Sequence, residues 1–203
     1  MDDEPLSMLE TLAITLHDIG AVQFGKFRLH SGEKSSVYLD LRVLVSFPEV
    51  LGQVAAVYHT FINRLGLEFD LLTAPPMAGL PIGTALCLEM NRPLIYPRKT
   101  AKSYGTGKAI EGVWSIGQNV LVIDDVITSG GSIVETISAL KAAGLRVSDA
   151  VVVIDREQGG KEILAREGYN LYAVMTLRYL LSVLRDNDRI SQKQYSKAIK
   201  SLS

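Results

Sequence analysis

The chain has very little cysteine, no long apolar run and almost no net charge, and each absence excludes a class of protein. Cys87 is the only cysteine among 203 residues, which excludes an internal disulfide and a cysteine-rich zinc site. No apolar run reaches the roughly 18 residues that a membrane-spanning helix needs, so no membrane contact is expected. The net charge of −1 gives no overall basic surface for nucleic acid.

The composition suits one globular domain with a sizeable core, because 47% of the residues are hydrophobic. No internal repeat or low-complexity linker divides the chain, and residues 1–203 are expected to form a single domain. The first residues, Met1 to Pro5, are acidic and unlike a secretory signal, so a cytoplasmic location is expected.

Helical and extended segments alternate along most of the chain, which predicts an α/β fold with a central parallel sheet flanked by helices. Predicted helices cover 6–19, 48–65, 79–90, 132–143, 158–167 and 176 to the end; predicted strands cover 70–74, 93–97, the apolar run from 120, 147–155 and 170–175. Residues 24–45 read as extended and fall outside this alternation. We expect residues 1–45 to contribute a small N-terminal cap over the carboxyl ends of the strands, where ligands bind in such sheets.

Residues 120–132 carry the most informative pattern, Val-Leu-Val-Ile-Asp-Asp-Val-Ile-Thr-Ser-Gly-Gly-Ser. Four apolar residues predict a buried strand that ends in the carboxylates of Asp124 and Asp125. The loop that follows combines backbone N–H groups, hydroxyl donors and a helix N-terminus, which together suit a phosphate group. Either half alone is also compatible with a solvated turn or a helix cap. The two halves in register favour a sugar phosphate bound with a divalent metal.

This stretch resembles the ribose-phosphate signature of the type I phosphoribosyltransferases. The resemblance implies the type I phosphoribosyltransferase fold, and it implies that Asp124 and Asp125 contact the ribose of 5-phosphoribosyl 1-diphosphate (PRPP). The further PRPP contacts that it implies are Val126, Ile127, Thr128, Ser129, Gly130, Gly131 and Ser132, of which the last five form the 5′-phosphate loop.

Residues 98–112 are polar and basic, and we expect them to form a mobile lid, although a charge run is often only a solvated loop. A flexible cationic lid would neutralise a diphosphate leaving group and exclude water. The Arg-Lys-x-x-Lys spacing resembles the lid of the orotate phosphoribosyltransferase family, which reaches across a homodimer. That resemblance implies PRPP contacts from Arg98, Lys99, Lys102 and Tyr104, with Lys99 and Lys102 catalytic. Many members have histidine where this chain has Tyr104.

Two further segments resemble the same family and concern the base. The Phe-Gly-Lys-Phe motif places Lys26 where the family's lysine contacts both orotate and PRPP, although a lone lysine is more often a surface residue. Arg156 follows a predicted strand, where it could pair with a neighbouring acid; the resemblance makes it the residue that binds orotate through a two-hydrogen-bond fork. The remaining expected orotate contacts are Tyr38, Leu39 and Thr128.

Residues 74–81 correspond to the family's diphosphate loop, where members often have tyrosine and lysine. Here Met77 and Ala78 stand instead, so binding would use the backbone N–H groups of residues 77–79 and the helix behind them.

The resemblance implies Mg²⁺-dependent transfer of ribose 5-phosphate from PRPP to orotate, giving orotidine 5′-monophosphate and diphosphate for pyrimidine biosynthesis. No protein ligand for Mg²⁺ is expected, because PRPP and water would hold it. Another base-specific phosphoribosyltransferase and a non-catalytic PRPP-sensing or nucleotide-sensing regulator are the alternatives. An orotidylate decarboxylase is a possible partner or fused domain.

Overall fold

The computed structural model describes residues 7–28, 32, 34–98 and 109–202. Seven helices are found in these ranges: α1 (Met8–Asp18), α2 (Pro48–Leu65), α3 (Gly79–Met90), α4 (Gly131–Ala142), α5 (Gly160–Arg166), α6 (Leu177–Asp186) and α7 (Gln192–Lys200). The strands are β1 (Val22–Arg28), β2 (Lys34–Leu39), β3 (Leu71–Thr73), β4 (Leu94–Pro97), β5 (Ile110–Glu111), β6 (Val120–Ile127), β7 (Asp149–Asp155) and β8 (Asn170–Thr176). No described helix has the length and apolar content needed to cross a membrane.

Six strands form the central sheet in the order β5-β4-β3-β6-β7-β8. Strands β4, β3, β6, β7 and β8 are parallel, which confirms the predicted α/β architecture. Strand β5 pairs antiparallel with β4 at one edge, so the sheet is mostly rather than wholly parallel. Strand β6 lies between β3 and β7, and its carboxyl end therefore opens near the middle of the sheet.

Alternating side chains of the buried strands enter two hydrophobic cores, one on each face of the sheet. Along β6, Leu121 and Ile123 pack with α1, α2, α3 and α6, whereas Val120 and Val122 pack with α4 and α5. Burial on both faces explains why the β6 sequence is apolar without alternation until it reaches the two acids.

The N-terminal strands β1 and β2 form a separate antiparallel hairpin, with a bulge between Phe24 and Phe27. Helix α7, from the far end of the chain, contacts β2, and the hydroxyls of Ser36 and Ser201 lie 3.3 Å apart.

Two sequence-based expectations are wrong in detail. The extended segment predicted to reach residue 45 ends at β2, because Leu41–Ser46 forms a 3₁₀ helix with Asp40 as its N-cap. Leu41 and Leu44 are buried one turn apart, which orders this segment as a helix. The segment 98–112 was predicted to be a loop throughout, but Ile110 and Glu111 form β5. Ile110 is 1% exposed, so burial of its side chain explains the additional strand.

Candidate active site

Two adjacent carboxylates near the end of β6 form the centre of the candidate site. Asp124 is 4% exposed, and Asp125 is partly buried. The backbone N–H of Asp125 donates to Asp124 Oδ1 at 2.9 Å, and the Ser132 hydroxyl donates to Asp124 Oδ2 at 3.3 Å. Ser132 belongs to the first turn of α4, so these bonds join the carboxylate pair to the start of that helix.

Burial raises the pKa of the Asp124 carboxyl well above its ordinary value, and the neighbouring charge of Asp125 raises it further. The pKa of Asp125 is also raised, mainly by burial. A bound ligand that supplies hydroxyl donors or a cation would stabilise the ionised forms of these two carboxyls. The electrostatics therefore indicate a ligand site rather than a solvated turn.

The backbone beneath this pair is held by Tyr58 of α2, which is fully buried. Its hydroxyl lies 2.5 Å from the Asp124 carbonyl oxygen, to which it donates, and 3.4 Å from the Val151 carbonyl of β7. The bond crosses 66 positions of sequence and fixes the strand where the carboxylates begin. The sequence offered no signal for this role, because a tyrosine on an apolar helix face is usually core packing.

The loop between β6 and α4 has the geometry of an anion cradle. Gly130 has φ of 79°, a left-handed conformation that suits glycine, and it turns the chain into the 12-residue helix α4. A Cβ added at Gly131 would meet no atom within 4 Å, so open space lies beside the first turn. Thr128 is partly buried, whereas Ser129 and Ser132 are exposed. The first N–H groups of α4 are thus accessible to a phosphate.

The loop after β7 packs against this cradle and places Arg156 beside it. The backbone N–H of Arg156 donates to the Ile127 carbonyl at 3.1 Å. A Cβ added at Gly160 would lie 2.6 Å from the Thr128 carbonyl oxygen, so only glycine permits this approach. The predicted phosphate loop and the predicted base-binding arginine therefore lie next to each other.

The side chain of Arg156 is 3% exposed and is held from two directions. Its Nε donates to Gln158 Oε1 at 2.8 Å, and its Nη2 donates to Ser35 Oγ at 3.2 Å. Ser35 belongs to β2, so the N-terminal hairpin and the central sheet meet at this guanidinium.

The predicted diphosphate loop also reaches the carboxylates. Helix α3 begins at Gly79, and a Cβ added there would lie 2.9 Å from Asp124 Oδ1. The N-terminus of α3 therefore approaches Asp124 closely. Met77, at the outer side of this loop, is 72% exposed.

Lys26 lines a cleft of about 930 Å³ between the hairpin and α7. Ser35 lines the same cleft and also contacts Arg156, so it joins the two spaces. Among the residues that the structure describes, Arg28, Lys34, Lys197 and Lys200 also line the cleft and are basic.

The structure does not bring Leu39 or Tyr38 to the carboxylates. Leu39 is buried in the core, while Tyr38 stacks on Phe27 with ring centroids 5.4 Å apart and accepts a hydrogen bond from Arg42. Their proposed contact with orotate stays a prediction.

Of the predicted lid residues, Lys99, Lys102 and Tyr104 lie outside the described residues. Arg98 is described, and its Nη1 forms an ion pair with Glu111 Oε1 at 3.0 Å. This pair joins the end of β4 to β5 and fixes Arg98 where the predicted lid begins.

Comparison with known proteins agrees with this geometry. Residues 48–168, which run from α2 past α5, match the family model described as the phosphoribosyl transferase domain. The fold and the site thus define a phosphoribosyltransferase. An orotate phosphoribosyltransferase from Pyrococcus abyssi is 40% identical over 168 residues, covering 83% of this chain and 92% of the relative. The chain belongs to the orotate phosphoribosyltransferase family.

Longer proteins are similar as well. The bifunctional enzyme PyrF/PyrE of Nostoc sp. is 42% identical over 187 residues, which are 92% of this chain and 39% of that protein. The structure of Leishmania donovani UMP synthase has a TM-score of 0.88 and 40% identity, covering 95% of this chain and 42% of that one. The chain spans about two fifths of the length of these two relatives.

Proposed function

We propose that this chain transfers ribose 5-phosphate from PRPP to orotate, producing orotidine 5′-monophosphate and diphosphate in pyrimidine biosynthesis. The observation that carries the proposal is the buried carboxylate pair Asp124–Asp125 beside an accessible helix N-terminus at the end of β6. A phosphorylated sugar satisfies both halves at once: its phosphate accepts from N–H groups, and its hydroxyls donate to carboxylates.

The reaction breaks the C1–O bond of PRPP and forms a bond between C1 and orotate N1. In our proposal the N–H groups of the 128–132 loop bind the 5′-phosphate, and Asp124 and Asp125 hold the ribose hydroxyls. Negative charge so close to C1 favours the positive charge that develops there as the bond breaks. Orotate N1 attacks as an anion, so no strong general base is required.

The diphosphate leaves toward the N-terminus of α3 and the lid. Backbone N–H groups near Gly79 would donate hydrogen bonds to the diphosphate and stabilise part of its negative charge. Lys99 and Lys102 would neutralise the remainder. Lys26 and Tyr104 are further proposed PRPP contacts, with Arg98 supporting the lid through its pair with Glu111.

Mg²⁺ is part of the proposal. Within residues 7–28, 32, 34–98 and 109–202, no three His, Cys, Asp or Glu side chains are grouped so as to hold a metal ion. The carboxylate oxygens of Asp124 and Asp125 are suitable donors, but they supply only part of an octahedral shell. We therefore propose that PRPP oxygens and water supply most ligands. When bound, Mg²⁺ offsets negative charge on the diphosphate.

Orotate is proposed as the base because of Arg156. The guanidinium of Arg156 can donate to the planar carboxylate of orotate, whereas uracil and the purines carry no carboxylate. Because Nε and Nη2 already donate to Gln158 and Ser35, the orotate carboxylate would contact Nη1 or replace one of these partners. Lys26, Thr128, Tyr38 and Leu39 complete the proposed base contacts. Arg156 is 3% exposed, so an anion that reaches it would interact with it in a site from which water is largely excluded.

A homodimer is proposed as the active assembly, with the lids shared between protomers. Helix α3 is apolar, yet only one side of it is buried in the single chain. Leu88 on its other side is 78% exposed, and Met77 before it is 72% exposed. A second copy that covers this surface would remove both side chains from water.

The longer relatives support the proposal that this chain acts next to, or fused with, a second enzyme of the same pathway, and an orotidylate decarboxylase is the expected one. A cytoplasmic location stays a prediction.

A panel of bases tests the proposed function. Purified protein is given PRPP, Mg²⁺ and orotate, uracil, adenine or hypoxanthine, and diphosphate release is measured. Of the four bases, we expect only orotate to give diphosphate release. If another base gives release and orotate does not, that base is the substrate. If PRPP binds but no base gives diphosphate release, the protein is better explained as a sensing regulator.

Replacing Lys99 by alanine should lower kcat about 100-fold, because removing one charge-stabilising donor costs about that much. The KM for PRPP should change far less, since the charge is needed mainly as the diphosphate departs. Lys193 on α7 offers a matched lysine-to-alanine control. An unchanged kcat in the Lys99 variant would contradict the proposal that Lys99 stabilises the departing diphosphate.

A further inference from the structure

The hydroxyl of Ser35 is positioned where the N-terminal hairpin meets the base-binding arginine. Ser35 is 5% exposed, and its Oγ accepts a hydrogen bond from Arg156 Nη2 at 3.2 Å across 121 positions of sequence. The same Nη2 lies 3.5 Å from the Val37 carbonyl, the next inward-facing residue of β2. Strand β2 therefore places two oxygen atoms, Ser35 Oγ and the Val37 carbonyl oxygen, next to Arg156 Nη2.

The hydrogen bonds of Ser35 leave its hydroxyl no further capacity. The hydroxyl donates to the Val37 carbonyl at 2.7 Å and accepts from the Val37 N–H at 3.1 Å. With the bond from Arg156, its one donor and both acceptor positions are used. The hydroxyl proton is directed into the strand, which fixes an acceptor lone pair toward Arg156. A ligand that bonded directly to Ser35 would have to displace one of these partners.

The hydrogen bonds from Arg156 to Gln158 and to Ser35 reach different parts of the fold. Gln158 holds Nε from two residues away, within the same loop. Ser35 holds Nη2 from the hairpin that also carries Lys26. The bond from Gln158 orients the guanidinium relative to its own loop, whereas the bond from Ser35 sets its position relative to the hairpin that carries Lys26. Both cations are proposed to contact one orotate molecule, so their relative position matters for the base.

We infer that Ser35 is a positioning residue for base recognition, which aligns Arg156 with Lys26 so that one orotate molecule can contact both. The inference rests on the proposed function and adds to it a determinant of base affinity in the N-terminal hairpin. Ser35 acts through Arg156 and does not itself touch the base.

The first test replaces Ser35 by alanine and uses Ser36→Ala as the matched control. Ser36 is the next residue of the same strand and is similarly buried at 8% exposure, but its hydroxyl lies by Ser201. We expect Ser35→Ala to raise the KM for orotate about tenfold, the usual worth of one hydrogen bond to a charged group, with the KM for PRPP nearly unchanged. Ser36→Ala should change neither.

A merely structural role would give a different pattern. A loosened hairpin would also displace Lys26, so the KM for PRPP would rise together with that for orotate. Ser35→Thr keeps the hydroxyl and suits a strand, and it should restore most of the orotate affinity. An equal rise in both KM values for Ser35→Ala would overturn the inference.

The second test is a double-mutant cycle with Arg156→Lys, which keeps the charge but lacks the fork. If Ser35 acts through Arg156, adding Ser35→Ala to the lysine variant should change the orotate KM less than twofold (about 0.4 kcal/mol). A full tenfold rise in that background would show that Ser35 acts independently. Wild-type protein that releases no diphosphate from orotate and PRPP would instead contradict the proposed function, so the two failures are distinguishable.

Discussion

Two aspartates of this chain lie in opposite environments. Asp40 accepts hydrogen bonds from Arg42 Nε at 2.6 Å and Nη2 at 3.0 Å, and the Arg42 side chain is 60% exposed. Those bonds lower the pKa of the Asp40 carboxyl. Asp124 is buried beside a second carboxylate, and its pKa is raised. The same side chain is thus stabilised in its charged form at one place and destabilised at the other.

The difference separates a carboxylate whose charge is stabilised by a partner in the chain from one whose charge is destabilised by burial. Asp40 finds its partner within the chain, two residues away, where it also caps the 3₁₀ helix. Asp124 is held in place by the neutral hydroxyls of Tyr58 and Ser132, which do not offset its charge. Burial keeps the pKa of Asp125 raised and outweighs the charge of Arg42, which lowers it. Chains keep such a pair where a ligand supplies the missing stabilisation, at a cost in the stability of the free protein.

The largest expected difference between the two aspartates is in activity. Asp124→Asn should lower kcat/KM for PRPP about 100-fold, because it removes charge that stabilises the developing positive charge at C1. Asp40→Asn should lower it less than about threefold, since it removes an ion pair whose arginine is 60% exposed. Steady-state diphosphate release measures both. Similar losses in the two variants would contradict the distinction.

The second expected difference is in stability, and it has the opposite sign. Asp124→Asn removes a buried charge next to Asp125 and should raise the free energy of unfolding by about 1 kcal/mol, or Tm by roughly 3 °C. Asp40→Asn should lower the free energy of unfolding by about 0.5 kcal/mol. Calorimetric melts at neutral pH without ligand test the comparison. A destabilised Asp124→Asn variant would show that its charge is already satisfied in the free chain.

The smallest expected difference is in how stability varies with pH. Because the folded pKa of Asp124 is above its ordinary value of 3.8, the folded chain binds more protons in that interval, and stability falls as pH rises through it. Asp40 has a lowered pKa, so its contribution is present above the ordinary value and is lost as pH falls through the folded pKa. Denaturant unfolding between about pH 5 and 8, where native folds tend to be most stable, should show a less negative slope of stability against pH in Asp124→Asn than in wild type. Identical slopes in the two proteins would contradict a raised pKa of Asp124 in the folded chain.

Much of the fold could be predicted from the sequence, because each element carries a local signal. The helix predicted over 79–90 is Gly79–Met90, and the helix that begins at Pro48 ends at Leu65 as predicted. The carboxylates at the end of β6 were found from the change from apolar to acidic residues. The 3₁₀ helix was missed, although Asp40 before two leucines three residues apart was a signal for it.

The remaining parts of the site depend on contacts between distant residues. Nothing near Tyr58 indicates that its hydroxyl reaches the Asp124 carbonyl, and nothing near Ser35 indicates that it binds Arg156. Both bonds exist only after the hairpin and α2 pack on the sheet, so local patterns carry no trace of them. Strand β5 is likewise defined by its pairing with β4 rather than by its two residues.

Calorimetric titration with PRPP and Mg²⁺ tests the central claim most directly, that the paired carboxylates and the loop after them form one sugar-phosphate site. We predict that wild type and Asp40→Asn bind PRPP equally well. The affinity of Asp124→Asn should be about tenfold weaker, because a hydrogen bond to a charged acceptor is lost. Equal PRPP affinity in wild type and Asp124→Asn, or no binding to wild type, would contradict the account.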